Sequence, residues 1–142
     1  GVPCVADPGS KIVEFAHQYQ IEVIPITGPS SILLALIASG FNGQNFAFNG
    51  YLPIDKKERN KKIKDLENLC KRNGQTQIFM ETPYRNLQLF ESIIKTCLKS
   101  TKLCIASDIT LPSENIKTKT IQEWRLIRPE INKKPSIFLI SA

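Results

Sequence analysis

At 142 residues, with 42% apolar side chains and a net charge of +6, the chain has the size and composition of one ordinary globular domain. No apolar run approaches the roughly 20 residues of a membrane span, and the first residues show no basic, apolar and cleavage-site pattern of a secretory leader, so the expectation is a chain that neither spans a membrane nor is directed to secretion. Cys4, Cys70, Cys97 and Cys104 lack CxxC spacing and His17 is the sole histidine, so the expectation is no metal site and reduced thiols in a cytoplasmic protein.

The first predicted element is an apolar strand at Val2 to Ala6, turned by Asp7-Pro8-Gly9-Ser10 into a helix on which Ile12, Val13, Ala16 and Tyr19 recur at helical spacing. A second short strand follows at Ile21 to Ile26. Thr27-Gly28-Pro29-Ser30-Ser31 then leads into a run from Ile32 to Ala38 with no polar residue. A helix apolar all round must be covered on every side, so it is expected to be wedged between two bodies of structure. At its start, Gly28 is conformationally free, Pro29 suits the first helical position and Ser30 or Ser31 can cap. Free N–H groups and the helix dipole there suit an anionic group, although an ordinary capped strand-to-helix turn has the same local sequence.

Beyond Gly40 the pattern starts afresh. Strands are predicted at Phe46 to Leu52, Gln75 to Glu81, Leu103 to Ser107 and Ser136 to Ile140, with strand character around Ile116 to Thr120 inside an otherwise irregular stretch. Helices are predicted at Lys56 to Arg72, ended by Asn73-Gly74, and after Thr82-Pro83-Tyr84-Arg85, where Leu87, Phe90, Ile93, Ile94 and Cys97 form one stripe. A short helix from Ile121 to Arg128 carries Trp124 inward. The result is an α/β domain with a sheet of about five strands and packed helices.

One helix and two parallel strands cannot form a core of their own. Residues 1–27 are therefore expected to be the remnant of an N-terminal parallel α/β domain in a longer protein, with 28–142 as its C-terminal α/β domain. The apolar side chains of such a remnant, Val2, Val5, Ile12, Phe15, Ile21 and Val23, are expected to drive self-association into a homodimer.

Charge is unevenly spread. Residues 1–54 carry Lys11 against Asp7, Glu14 and Glu22, a net of −2, which leaves +8 for the remainder. Much of it lies between Lys56 and Lys64. Such a cluster either attracts a polyanion such as nucleic acid or is a solvated helix face paired with Glu58, Asp65 and Glu67.

The ordered motifs G-x-P-C-V-A-D-P-G, V-x-P-x-x-G-P-S-S, A-L-x-x-S-G-F, F-x-F-x-G-Y-L-P and E-T-P-Y-R resemble the tetrapyrrole methylase superfamily, and within it the ribosomal small-subunit RNA cytidine 2'-O-methyltransferases. The resemblance extends over nearly the whole chain. It implies an S-adenosylmethionine-dependent methyltransferase with the cofactor in a cleft between two α/β domains. It places Asp7, Pro8 and Gly9 on the N-terminal wall, Gly28, Pro29, Ser30 and Ser31 at the first C-terminal helix, and Glu81, Thr82 and Pro83 near the adenosine half. Two departures stand out. The glycine-rich cofactor loop expected well before Gly1 is absent, and Ser107 to Asn115 replaces an Arg-Glu-Leu-Thr-Lys-like segment.

RNA is the expected acceptor, with Arg85, Lys56, Lys57 and Arg59 as candidate phosphate contacts. Arg85 reads equally as a surface residue, and Asp7 as a helix cap. No residue stands out as a general base. The alternatives are a tetrapyrrole or other small acceptor, and a non-catalytic RNA-binding module on the same fold.

Overall fold

In a computed structural model describing residues 2–142, the centre is a five-stranded sheet. The elements run α1 (Ser10–Gln18), α2 (Ser31–Ser39), β1 (Phe46–Tyr51), α3 (Lys56–Asn73), β2 (Thr76–Met80), a 3-10 turn (Pro83–Arg85), α4 (Asn86–Thr96), β3 (Lys102–Ser107), β4 (Asn115–Thr120), α5 (Ile121–Trp124) and β5 (Ser136–Ser141). Strand order is β1-β2-β5-β3-β4. β1 and β2 are parallel, whereas β5 runs antiparallel to both β2 and β3, and β4 antiparallel to β3. The carboxyl ends of β1, β2 and β3 therefore share one edge of the domain.

Alternation along the strands sorts side chains onto two layers. Phe79, Leu103, Ile105, Phe138 and Ile140 face α3, α4 and α5, where they meet Ile63, Leu66, Leu89, Ile93 and Trp124. Ile78, Cys104, Ala106, Ile137 and Leu139 face α2 through Ala35 and Leu36. Trp124 is fixed by donating its indole N–H to the Leu103 carbonyl at 2.8 Å. Burial pushes the thiols of Cys70 and Cys97 up to about 11 and about 12, so both behave as small core hydrophobes.

Each element predicted beyond residue 40 has a counterpart, and β4 settles the stretch whose pattern was irregular, but the helix expected from Ile121 to Arg128 is only the single turn of α5, Ile121–Trp124. The N-terminal segment differs. Residues 3–9 form turns and bends and residues 21–30 belong to no helix or strand, so neither predicted flanking strand is present; only α1 between them forms. A β-rich composition makes a strand only when a neighbour supplies ladder hydrogen bonds, and none of the described strands lies beside them. α1 has no buried residue, and Ile12, Phe15 and Ile21 are exposed. The all-round cover expected for α2 is also not seen among the described residues. Its Ala35, Leu36 and Ser39 are buried on the sheet, but Leu33 and Ile37 are 51% and 76% exposed.

The basic helix α3 is tied inward by two charged residues. Asp55 caps it, its side chain accepting from the Glu58 N–H at 2.9 Å, and Gly74 closes its other end in the left-handed region. Arg59 donates to Ser92 Oγ on α4 and to the Ile54 carbonyl, both at 2.9 Å, and is 5% exposed. Glu67 is fully buried and accepts from Lys64 Nζ and the Leu98 N–H, each at 2.7 Å, and from Thr101 Oγ1. Burial works against the Glu67 charge, yet these donors outweigh it and hold its pKa below the usual carboxylate value.

Candidate functional site

Open α/β sheets bind ligands outside the carboxyl ends of their strands, and a cavity of about 380 Å³ lies there. The carboxyl end of β1 supplies Tyr51, that of β2 Met80 and Glu81, and that of β3 Ala106, Asp108 and Ile109. Ser136 and Ile137 at the start of β5, and Ser31 at the start of α2, complete the wall with Pro83. Tyr51 reaches it by way of a register irregularity in β1 between Phe48 and Tyr51, where Gly50 has φ +63°, a bulge that re-aims the strand end.

The polar groups are held in defined poses. Glu81 is 5% exposed, and its Oε1 accepts from the Thr82 N–H at 2.6 Å and from Arg85 Nη2 at 3.0 Å. Both bonds engage the same oxygen. Asp108 is also buried, at the end of β3, with φ +51°, a left-handed conformation that aspartate tolerates better than most residues. Its Oδ2 accepts from Ser113 Oγ at 2.9 Å and lies 3.6 Å from Lys134 Nζ, while its N–H donates to the Pro135 carbonyl. Two buried carboxylates thus flank walls made of Met80, Ala106, Ile109, Leu111 and Ile137.

A smaller cavity of about 150 Å³ adjoins it, lined by Val2, Val5 and Ala6 together with Ser30, Ser31, Ile32 and Met80. Ser31 and Met80 border both spaces, so the N-terminal segment approaches the α2 end of the larger one. Within that segment Asp7 Oδ1 accepts from the N–H groups of Gly9, at 2.7 Å, and Cys4, at 3.3 Å. Gly9 rather than Asp7 is the α1 cap position, and a Cβ on Gly9 would meet Asp7 Oδ1 at 2.8 Å, so a larger residue there would have to displace that carboxylate from its bond to the residue 9 N–H.

Of the sequence-predicted residues, Ser31, Glu81 and Pro83 line the larger cavity and Ser30 and Ser31 the smaller. Thr82 takes part through its N–H. Asp7, Pro8 and Gly9 follow directly on the cavity-lining Val5 and Ala6, and Gly28 and Pro29 precede Ser30, but none of these five lines either space. Neither serine side chain caps α2, although Ser30 occupies the cap position, so its first N–H groups keep no side-chain partner. Nor does the turn conformation require Gly28: a Cβ there meets nothing within 4 Å and no left-handed φ is present. Arg85 is an ion-pair partner of Glu81, one third exposed, with its buried Nε unbonded. Lys56 and Lys57 are exposed, whereas Arg59 faces inward because its guanidinium bridges α3 and α4; as a surface phosphate contact it is corrected. The cavity carboxylate that the pattern left unmarked is Asp108. Its only signal was a carboxylate directly after an apolar strand.

Solved structures of the same fold include the methyltransferase CobJ, with a TM-score of 0.63 at 17% identity over 99% of this chain and 61% of that one. The cobalt precorrin-4 methyltransferase CbiF gives 0.62 at 14% identity, again over 99% of this chain and 61% of that one. At the level of sequence, residues 1–124 match the family described as Tetrapyrrole (Corrin/Porphyrin) Methylases, and the chain belongs to it. Among curated relatives, it is 35% identical over 127 residues to ribosomal RNA small subunit methyltransferase I of Buchnera aphidicola from Acyrthosiphon pisum, covering 87% of this chain and 44% of the relative. It is 34% identical to the protein of that name from the Schizaphis graminum strain, covering 99% and 49%, and 30% identical to that of Escherichia coli O157:H7, covering 87% and 42%. The chain thus spans about half the length of the curated relatives it matches. Among the described residues no helix is long and apolar enough to cross a membrane.

Proposed function

We propose that this chain supplies the C-terminal wall of an S-adenosylmethionine site in a methyltransferase acting on ribosomal RNA, with the 2'-hydroxyl of a ribose as acceptor. The observation that carries the reading is the cavity at the strand ends. Its volume is within the range of small-molecule sites, and its apolar walls with two fixed carboxylates suit a purine ring bearing an amine and a ribose bearing two hydroxyls. Glu81 and Asp108 would accept hydrogen bonds from those groups, and the α2 N-terminus would receive an anionic group.

The cofactor supplies an electrophilic methyl group. What the protein contributes is alignment of an acceptor oxygen in a site shielded from water. Residues 1–27 would belong to the opposite wall and residues 28–142 to this one. The RNA reading rests on the names of the curated relatives and on the basic surface of α3.

Calorimetric titration of the intact protein with S-adenosylmethionine tests the cofactor assignment. Because Gly28 has open space around it, Gly28→Val should leave stability within about 0.5 kcal/mol of wild type. A loss of cofactor affinity in that variant then reports contact with ligand, and wild-type affinity removes the Gly28 turn from the site. For RNA, replacing Lys56, Lys57, Lys61 and Lys62 with Glu should weaken binding and flatten its dependence on salt. Unchanged binding at low salt would leave α3 as a solvated face.

A further inference from the structure

A third cavity, of about 310 Å³, lies on the other face of the sheet from the cofactor cavity. The alternation of β3 makes the two spaces back to back: Ala106 and Asp108 line the first, Ile105 and Ser107 the second. Its remaining boundary comes from the edge strand β4, through Asn115 and Lys117, and from residues 127–131 after α5. The register pairs Lys117 with Ile105 and Asn115 with Ser107, so both pairs project onto this face.

The chemistry of the walls is mixed in a particular way. Ile105, Trp124 and Ile131, all nearly buried, form an apolar floor. Lys117 and Arg128 stand exposed at the rim, and neither has an ion-pair or side-chain hydrogen-bond partner among the described residues. Glu130 is the one carboxylate on the lining. Two unpaired cations at the mouth of an apolar hollow suit a phosphate attached to a flat ring. The carboxylate is unfavourable for a bare phosphate but accepts from the amino or imino N–H of a base.

We infer that the cavity between β4 and residues 127–131 holds one unpaired nucleotide of the RNA acceptor, its phosphate at Lys117 and Arg128, its ring over the Ile105–Ile131 floor and its base edge at Glu130. The inference rests on the RNA reading above. RNA is read chiefly where bases are unstacked and splayed out, and a cavity this size excludes a duplex.

The test is fluorescence anisotropy of the intact protein with a single-stranded RNA oligonucleotide and with the same sequence as a duplex, at several salt concentrations, alongside titration with S-adenosylmethionine. Lys117→Ala with Arg128→Ala should weaken single-strand binding by roughly tenfold or more and reduce the salt slope by about 0.7, the value for one neutralised phosphate on a single strand. Cofactor affinity and duplex binding should stay at wild type. Glu130→Gln should change the preference among oligonucleotides that differ in base at one position while keeping the salt slope. Full single-strand affinity and slope in the double variant would overturn the nucleotide site while leaving the RNA reading standing. A wild-type protein that binds cofactor but no RNA would overturn both.

Discussion

Glu67→Ala should lower stability by about 3 kcal/mol, because it leaves two buried donors, the Leu98 N–H and the Thr101 hydroxyl, without an acceptor and opens a void beside them. For a domain of this size that corresponds to a fall of roughly 10 °C in the midpoint of a thermal melt. Lys64→Met is the control. That lysine is 42% exposed on its side chain, and a solvent-facing partner contributes only about 0–1 kcal/mol. The contribution of Glu67 also has a direction in pH. Its folded-state pKa is lowered from 4.5, so its stabilisation is fully present above that value and disappears as pH falls through the lower folded-state value. A melt of Glu67→Ala within about 2 °C of wild type at neutral pH would mean that water reaches the orphaned donors and that the site is less enclosed than its burial indicates.

Glu81→Ala should weaken S-adenosylmethionine binding to the intact protein by about 10- to 100-fold, the range for losing a hydrogen bond to a charged acceptor. Removing the carboxylate has a second consequence: Arg85 loses its partner at 3.0 Å and the Thr82 N–H its acceptor at 2.6 Å, so the turn after β2 loosens. Arg85→Met separates the two effects. It keeps the carboxylate and the Thr82 bond, so cofactor affinity should fall less than in Glu81→Ala. Equal losses in both variants would assign the effect to the turn rather than to Glu81 as a ligand group, and wild-type affinity in both would move the cofactor elsewhere.

The elements beyond residue 40 were legible because their information is local. The stripe on α4 and the Asp55 and Gly74 ends of α3 are set by residues within one or two turns. The N-terminal strands were misread for the complementary reason: Val2 to Ala6 and Ile21 to Ile26 have strand composition, but a strand exists only through a neighbour whose identity no local pattern carries. The same limit applies to single residues. Arg59 and Glu67 share a charged segment with Lys56 and Lys57, and only the position of α4 and of the Leu98–Thr101 connection turns them inward. At the cavity, Glu81 and Ser31 were found through their motifs, and Asp108 was missed because its role comes from the left-handed turn at the end of β3.

The placement of β5 bears on how the chain acquires its shape during synthesis. The last of the five strands in sequence lies at the middle of the sheet, between β2 and β3. Until residues Ser136–Ser141 leave the ribosome, the β1-β2 pair and the β3-β4 pair have no shared hydrogen bonds, and the buried rows of Phe79 and Leu103 lack the Phe138 and Ile140 that cover them. Closing the sheet therefore waits on contacts of long sequence separation, which slow folding and leave two apolar half-sheets open in the meantime. Nascent chains stalled before residue 136 should accordingly engage chaperones, and the affinity should drop once β5 is free to insert.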